Sequence, residues 1–398
     1  MRAKVVHIIT RLDFGGAQQN TLYTVSHLDG ARFEPVLISG AGGYLDGKAG
    51  GLSRLDRPVR VQMLPDLVRE IAPLRDLLAC LQLRRLLSEE RPAIVHTHSS
   101  KAGVLGRIAA ALAGVPVIVH TFHGFGFHEG MNPLLRWAYV LLERLAGSLS
   151  TRLVFVSKAN MRYGERYGLG DRRRYALIRS GVKLSDFRLL AGERARIRTA
   201  IGAGGGGPLV VGVGNLKPQK NAADFLRVAR RVVGRVPDAS FVFIGDGPLR
   251  SAIEAEAAAS GLGGRLRLLG WRRDVARILG AADVFLLTSL WEGLPRSLVE
   301  AMKTGLPCVC YAVDGVRDVI EDGENGFAAP AGDWETLARR VEELLRSSSL
   351  RGTMGAKASE SIGPEFDIDE MVRRQERLYD ECLARSSGPA TPAAAVGP

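Results

Sequence analysis

The stretch "DVFLLTSLWEGLPRSLVEA" (Asp283–Ala301) holds two structural periods in succession. Its first part is apolar without interruption and of strand length, which describes a strand buried on both faces, as in parallel sheets covered by helices. Its last part places apolar residues at helical spacing behind Pro295, and proline suits the first helical position because its missing N–H has no partner there anyway. Strand, short loop and helix form one half of a βαβ unit. The class is α/β.

The same alternation extends both ways. After the quoted stretch, "PCVCYAV" reads as a strand; before it, "LVVGVGN", "SFVFIGDG" and "RLRLLGW" alternate with helical segments such as "AADFLRVARRVVGRVP" and "PLRSAIEAEAAASG". The first half repeats the pattern. Its expected strands are "VVHIIT" (5–10), "PVLIS" (35–39), "VRVQML" (59–64), "AIVHTH" (93–98), "VPVIVHTF" (115–122), "RLVFVS" (152–157) and "YALIRSG" (175–181). Helical segments separate them, the first long one spanning residues 66–90. Between the halves, "LLAGERARIRTAIGAGGGGP" pauses the alternation, and the run Gly204–Gly207 reads as a flexible connection. These signals predict two doubly wound, Rossmann-like parallel-sheet domains facing a central cleft. The expected divisions are a first domain at 1–188, a linker at 189–207 and a second domain at 208–365. A C-terminal helix at 366–385 would pack back on the first domain, ahead of a disordered tail at 386–398.

The chain has 398 residues and a formal net charge of +12. Residues 1–190 hold 27 basic and 15 acidic residues, so the whole excess lies in the first half. That imbalance points to an acidic partner or simply to a soluble basic surface. The four cysteines have no zinc or disulfide spacing, which fits a reducing compartment. No window reaches the roughly 18 apolar residues of a membrane span. The expected location is cytoplasmic, or peripheral on the cytoplasmic face of the inner membrane.

In open α/β sheets ligands bind beyond the carboxyl ends of strands. Glu292 falls in such a loop, and Glu300 lies in the helix that follows. The first N–H groups of that helix make an anion site between the two carboxylates. Carboxylates accept well from vicinal diols. A nucleotide-sugar offers a ribose diol, a diphosphate and sugar hydroxyls, one for each feature.

These residues carry a resemblance. "EGLPRSLVEA" resembles the Glu-x7-Glu motif of retaining glycosyltransferases with the GT-B fold, in particular family 4. "VGNLKPQKN" (213–221), "FIGDGPLR" (243–250), "LGWRRDV" (269–275), "GLPCV" (305–309) and "DGENGFAAP" (322–330) follow the family's order, as do "RLDFGGAQ" (11–18), "VHTHSSKAG" (95–103), "HTFHGFGF" (120–127), "FVSKA" (155–159) and "SGVKLSDF" (180–187). The resemblance implies that Glu300 binds the ribose hydroxyls and that Glu292 contacts the donor sugar near its anomeric centre. Gly293, Leu294, Pro295 and Arg296 would line the distal phosphate and the sugar, and Lys220 would meet the diphosphate. An arginine is usual where this chain has Asn215, so another basic residue such as Lys217 would supply that charge. Gly15 and Gly16 match the glycine loop at the diphosphate, Gly245 belongs to the donor site, and the loop around Arg272 would hold the nucleobase. His123 matches the histidine opposite the donor sugar. Of His96, His98, His120, His123 and His128, four are expected to be ordinary hydrogen-bonded histidines. Asp246 reads as a turn residue, and Asp13 lies near the expected site.

The implied activity is transfer of a hexose or N-acetylhexosamine, with retention, from a nucleotide-sugar to a glycan or lipid-linked acceptor in cell-surface polysaccharide or lipopolysaccharide assembly. UDP-sugars come first and GDP-mannose second. Glu292, Lys220 and His123 are the expected catalytic groups; no cofactor and no metal are expected. The segment 131–153 combines leucines, Trp137 and arginines, and either lies on anionic membrane or packs on the sheet. Two rival readings stand beside this one: a nucleotide-sugar epimerase of the same architecture, and a basic nucleic-acid-binding protein, for which no motif is present.

Overall fold

The computed structural model describes residues 2–52, 58–128, 130–204 and 206–387. Two compact units emerge, one of residues 1–155, 164–178 and 372–398, the other of residues 156–163 and 179–371.

The first unit is built on seven parallel strands: β1 (Ala3–Arg11), β2 (Phe33–Gly40), β3 (Arg60–Leu64), β4 (Ile94–His98), β5 (Val117–Phe122), β6 (Arg152–Phe155) and β7 (Tyr175–Leu177). Their order is β3-β2-β1-β4-β5-β6-β7. Helices α1 (Gly16–His27), α2 (Asp46–Gly51), α3 (Pro73–Glu90), α4 (Ser100–Leu112) and α5 (Pro133–Ser148) follow the first five strands. One sheet face holds Val6, Ile8, Val36 and Val95 in a core with Ala79, Leu83 and Leu87 of α3 and Ala102 and Ala109 of α4. On the other face Ile9 and Leu37 meet Leu22 and Val25 of α1. Helix α3 starts at Pro73, seven residues after the expected start at 66, because proline fits the first turn and interrupts the interior.

The second unit has six parallel strands: β8 (Leu209–Val213), β9 (Ser240–Ile244), β10 (Leu266–Leu268), β11 (Val284–Leu287), β12 (Cys308–Tyr311) and β13 (Gly326–Ala329), ordered β10-β9-β8-β11-β12-β13. Helix α6 (Lys158–Arg166) divides between the units, and α7 (Arg194–Ala200) precedes β8. Then come α8 (Ala222–Arg235), α9 (Arg250–Ala259), α10 (Val275–Gly280), α11 (Arg296–Thr304), α12 (Trp334–Arg346), α13 (Ser348–Glu360) and α14 (Ile368–Ser387). Alternation along β12 sends Cys308 and Cys310 into one core and Val309 and Tyr311 into the other, so both thiols share a face and are buried.

Three segments depart from the sequence reading. The expected linker 189–207 is an integral part of the second unit, and the chain passes between units at 178/179. Helix α7 buries Ile197 in that unit's core, and Arg194 and Arg198 both pair with Asp283, at 2.5 and 2.6 Å. A Cβ on Gly207 would sit 2.0 Å from the Asp238 carbonyl oxygen, so this glycine serves close backbone packing rather than a hinge. Helix α14 counts with the second unit through Met371 and with the first from Val372 onward. In the first unit Arg32 pairs with its Glu376 and Asp380. Of the expected tail, Ser386 and Ser387 end α14, and the rest lies outside the described residues.

Candidate active site

The strand order of the second sheet reverses beside β8, which is flanked by β9 and β11. The loops leaving β8 and β11 are therefore neighbours at a switch point, where α/β sheets bind ligands. The first loop carries Asn215 and Lys220, the second Glu292. Four contacts stitch the loops together. The Thr288 hydroxyl is shared by the Lys220 and Asn221 carbonyls, both at 3.0 Å, the Leu290 N–H donates to the Gln219 carbonyl, and Gln219 Nε2 donates to the Trp291 carbonyl. Lys220 and Glu292 form an ion pair, with both side chains largely shielded from water. The two groups expected to meet the donor's diphosphate and sugar are thus paired with each other.

Helix α11 begins at Arg296, so Pro295 is its N-cap rather than its first residue, and no side chain caps it. The Leu298 N–H donates to the Pro295 carbonyl at 3.0 Å, and the positive end of the helix dipole at this terminus favours an anion. Gly293 presents its carbonyl within 1.9 Å of where a Cβ on Gly315 would sit, and Leu294 is buried in the core, so both residues shape the loop through packing. Arg296 and Glu300, one turn apart, lie 3.7 Å from each other, with about 15% of each side chain exposed. Burial raises the Glu300 carboxyl above its ordinary pKa and Arg296 opposes the rise; burial likewise lowers Arg296.

Gly245 has φ +136°, and a Cβ there would meet the Gly214 carbonyl at 1.9 Å, so local packing alone demands glycine. Arg272 closes a two-point pair on Asp274 at 2.8 and 2.7 Å, which engages its guanidinium. Arg272 also lines a cavity of about 670 Å3 with Gly202, Ala258, Leu262 and Arg267, apart from the Lys220–Glu292 pair. Asp246 accepts from the Gly247 N–H and pairs with Arg250, as a turn residue does.

Sequence reasoning passed over Asp314, whose carboxylate accepts the Glu292 N–H at 2.8 Å. Asp314 adopts φ +33°, a strained left-handed conformation for a residue other than glycine. Its signal was the Asp-Gly step after a strand, which is turn chemistry without a visible tie to Glu292.

In the first unit Gly15 is the N-cap of α1 in extended backbone, and a Cβ there would meet only the movable Gln18 side chain. Asp13 is taken up by Arg11 at 2.9 and 3.0 Å. His123 follows β5, is half-buried, and bonds through Nε2 to His98 at 3.2 Å. Burial lowers its pKa to about 4, so the ring is neutral near pH 7. His96, His98 and His120 are buried and hydrogen-bonded, as expected of ordinary core histidines.

Comparison with known proteins bears on the family and the fold. Residues 193–361 match the family described as glycosyl transferases group 1, and residues 15–181 match the glycosyl transferase 4-like domain. The chain is 32% identical over 381 residues to the UDP-Gal:alpha-D-GlcNAc-diphosphoundecaprenol alpha-1,3-galactosyltransferase of Escherichia coli, covering 95% of this chain and 97% of that one. Anabaena HepE, crystallised with UDP and glucose, superposes with a TM-score of 0.81 at 18% identity, over 96% of this chain and 100% of its own. A sucrose-phosphate synthase from Thermosynechococcus elongatus also gives 0.81, at 17% identity over 96% of this chain and 100% of its own. The fold is GT-B. The chain belongs to the group 1 glycosyltransferases.

Proposed function

We propose that the protein transfers a hexose or N-acetylhexosamine from a UDP-sugar to a lipid-linked sugar acceptor, with retention at the anomeric carbon. The observation that carries this reading is the Lys220–Glu292 pair beside the uncapped N-terminus of α11, with Glu300 further along the same helix. The Escherichia coli relative takes UDP-galactose and a sugar on diphosphoundecaprenol and makes an alpha linkage. Galactose is alpha-linked in its UDP donor, so an alpha product means retention.

In the proposed step the bond from the anomeric carbon to the diphosphate breaks while the acceptor oxygen bonds the same face. The acceptor's proton passes to the departing phosphate oxygen. Lys220 and the α11 N–H groups hold the charge that grows on the diphosphate, which is stabilisation aimed at the transition state. Glu292 orients the sugar, Glu300 accepts from the ribose diol, and His123 meets a sugar hydroxyl. No metal and no cofactor enters the scheme.

The acceptor side rests on the outer surface of the first unit. Leu134 and Trp137 of α5 are 80% and 65% exposed, and Leu74 of α3 is 80% exposed, with Leu77, Leu81, Leu141 and Leu145 also open to water. Both helices pack against α4, so these side chains belong to one helical layer. An apolar surface in a unit with excess positive charge suits an anionic membrane that displays a lipid-linked acceptor. Among the described residues no helix is long and apolar enough to cross a membrane.

Titration of UDP into Lys220→Ala and Glu300→Ala tests the donor site. Each charge-assisted contact contributes roughly 1.5–3 kcal/mol, so affinity should fall about ten- to hundredfold. Wild-type affinity in both variants would refute the assignment. Product formed from UDP-galactose with a lipid-linked acceptor, and its anomeric configuration by NMR, tests transfer and retention. Donor turnover without acceptor would favour the epimerase reading.

A further inference from the structure

Five polar side chains of the first unit share one face of the sheet. In the parallel register His7 of β1 pairs with His96 of β4, and His98 pairs with Thr121 of β5. Alternation then puts His7, His96, His98, Thr121 and His123 on the same side. Tyr379 of α14 reaches into this group, fully buried. The result is one continuous chain of contacts. His123 Nε2 lies 3.2 Å from His98 Nδ1, and His98 Nε2 is 3.1 Å from His7 Nδ1. His7 Nε2 is 3.5 Å from the Tyr379 oxygen. That oxygen is 2.5 Å from His96 Nδ1, and His96 Nε2 is 2.7 Å from the Thr121 hydroxyl. At the far end His123 Nδ1 is shielded from water and has no partner among the described residues.

A neutral imidazole has one N–H and one lone pair, so a chain of them must point one way throughout. The contact of 2.5 Å at Tyr379 sets the direction. That separation suits an O–H donor and is too short for an ordinary N–H···O bond. The phenol therefore gives its single proton to His96 Nδ1, and its oxygen accepts from His7 Nε2–H. His7 Nδ1 then accepts from His98 Nε2–H, and His98 Nδ1 accepts from His123 Nε2–H. His123 Nδ1 is left as a bare lone pair.

We propose that Tyr379, His7 and His98 are positioning residues that fix His123 in its Nε2–H tautomer, so that Nδ1 accepts a hydrogen bond from a hydroxyl of the bound sugar. This rests on the reading of His123 as a donor-sugar contact. Burial holds His7 at a pKa of about 3 and lowers His96 and His98 well below the usual histidine range, which keeps every ring in the chain neutral and the ordering intact near neutral pH. His7, His96 and His98 also bring one ring nitrogen each within 4.8 Å of one another, a spacing that a metal ion can use. The nitrogens are spent on each other, on Tyr379 and on Thr121, and the His7 and His98 rings stack at 6° instead of converging on a point.

Nitrogen-15 imidazole spectra of the full-length protein at pH 7 test the proposal directly. His123 should carry its proton on Nε2 in the wild type. Tyr379→Phe removes the proton that orients the chain, and His98→Leu cuts it; in both, His123 should shift toward the Nδ1–H tautomer. His98→Asn places an amide oxygen near the Nδ1 position and should restore the Nε2–H form. The turnover of UDP-sugar should fall about five- to tenfold in the first two variants, the worth of one neutral hydrogen bond, with UDP affinity unchanged. His123 protonated on Nδ1 in the wild type would overturn the proposal. So would an unmoved tautomer in both cut variants, or a stoichiometric metal in the purified protein. If His123→Ala transfers sugar as well as wild type, the donor-contact reading fails while the tautomer result stands by itself.

Discussion

In the proposed donor site Glu300 is ionised to accept hydrogen bonds from both hydroxyls of a ribose, yet burial works against its charge. Arg296, one turn earlier and 3.7 Å away, offsets that penalty. Replacing Arg296 with Met should therefore raise the Glu300 pKa further. The sign follows from the form that binds: the deprotonated carboxylate holds the diol, so UDP affinity in the variant should be weak at pH 6 and recover as pH rises. Calorimetric titration across pH 6–9 checks this; a loss independent of pH would mean that Arg296 contacts the nucleotide itself. Glu292 and Glu300 were legible in the sequence because a strand-loop-helix pattern fixes which residues sit at a strand's carboxyl end. Asp314 was not legible, because its bond to the Glu292 N–H joins loops that follow different strands.

At the scale of elements, α3 and α5 each bury a narrow inner stripe and expose a wide outer one. Helix α5 buries Val140, Glu143, Ala146 and Gly147, while its leucines and Trp137 face outward. Helix α3 buries only Ala79, Leu83 and Leu87. Hydropathy alone assigns those leucines to a core; the packing of α4 between the two helices decides otherwise. Binding to phosphatidylglycerol vesicles should weaken as salt rises, because screening shortens the reach of the basic surface to roughly 8 Å at physiological ionic strength. The double substitution Leu134→Glu and Trp137→Glu should cut vesicle binding by about tenfold or more, since each apolar side chain contributes roughly 1.5–3 kcal/mol when buried in lipid. UDP affinity should not change. Vesicle binding indifferent to both salt and the substitutions would remove this surface from the acceptor side.

The whole molecule divides its titrating groups unevenly. All seven histidines lie in the first unit. His7 and His123 keep pKa values of about 3 and 4 when folded, against about 6.5 for an unfolded chain. The unfolded state binds the extra protons, so the first unit is fully stable above about pH 6.5 and loses stability as pH falls from there toward 4. At pH 5 each such histidine costs about 2 kcal/mol. Scanning calorimetry from pH 7.5 to 5 should show a transition assigned to the first unit moving down ahead of that of the second. UDP at about a hundred times its Kd should raise the second unit's transition more, by up to about 2.7 kcal/mol of added stability. Equal acid shifts in both transitions would contradict the histidine account.

The alternation of apolar runs with helical periods determined two parallel-sheet units, and the spacing around Pro295 determined where the carboxylates fall, because both follow from periodicities of a few residues. The boundary between units escaped that reading. A glycine run looks flexible to any local rule, yet Asp283 draws Arg194 and Arg198 across more than eighty residues of chain. The histidines followed the same division. Strand alternation could place His7, His96, His98 and His123 on one face, but only the docking of α14 put the Tyr379 hydroxyl against His96 and set the direction of the chain. Short-range patterns fix which way a side chain points; the partner it meets depends on segments that the fold alone brings together.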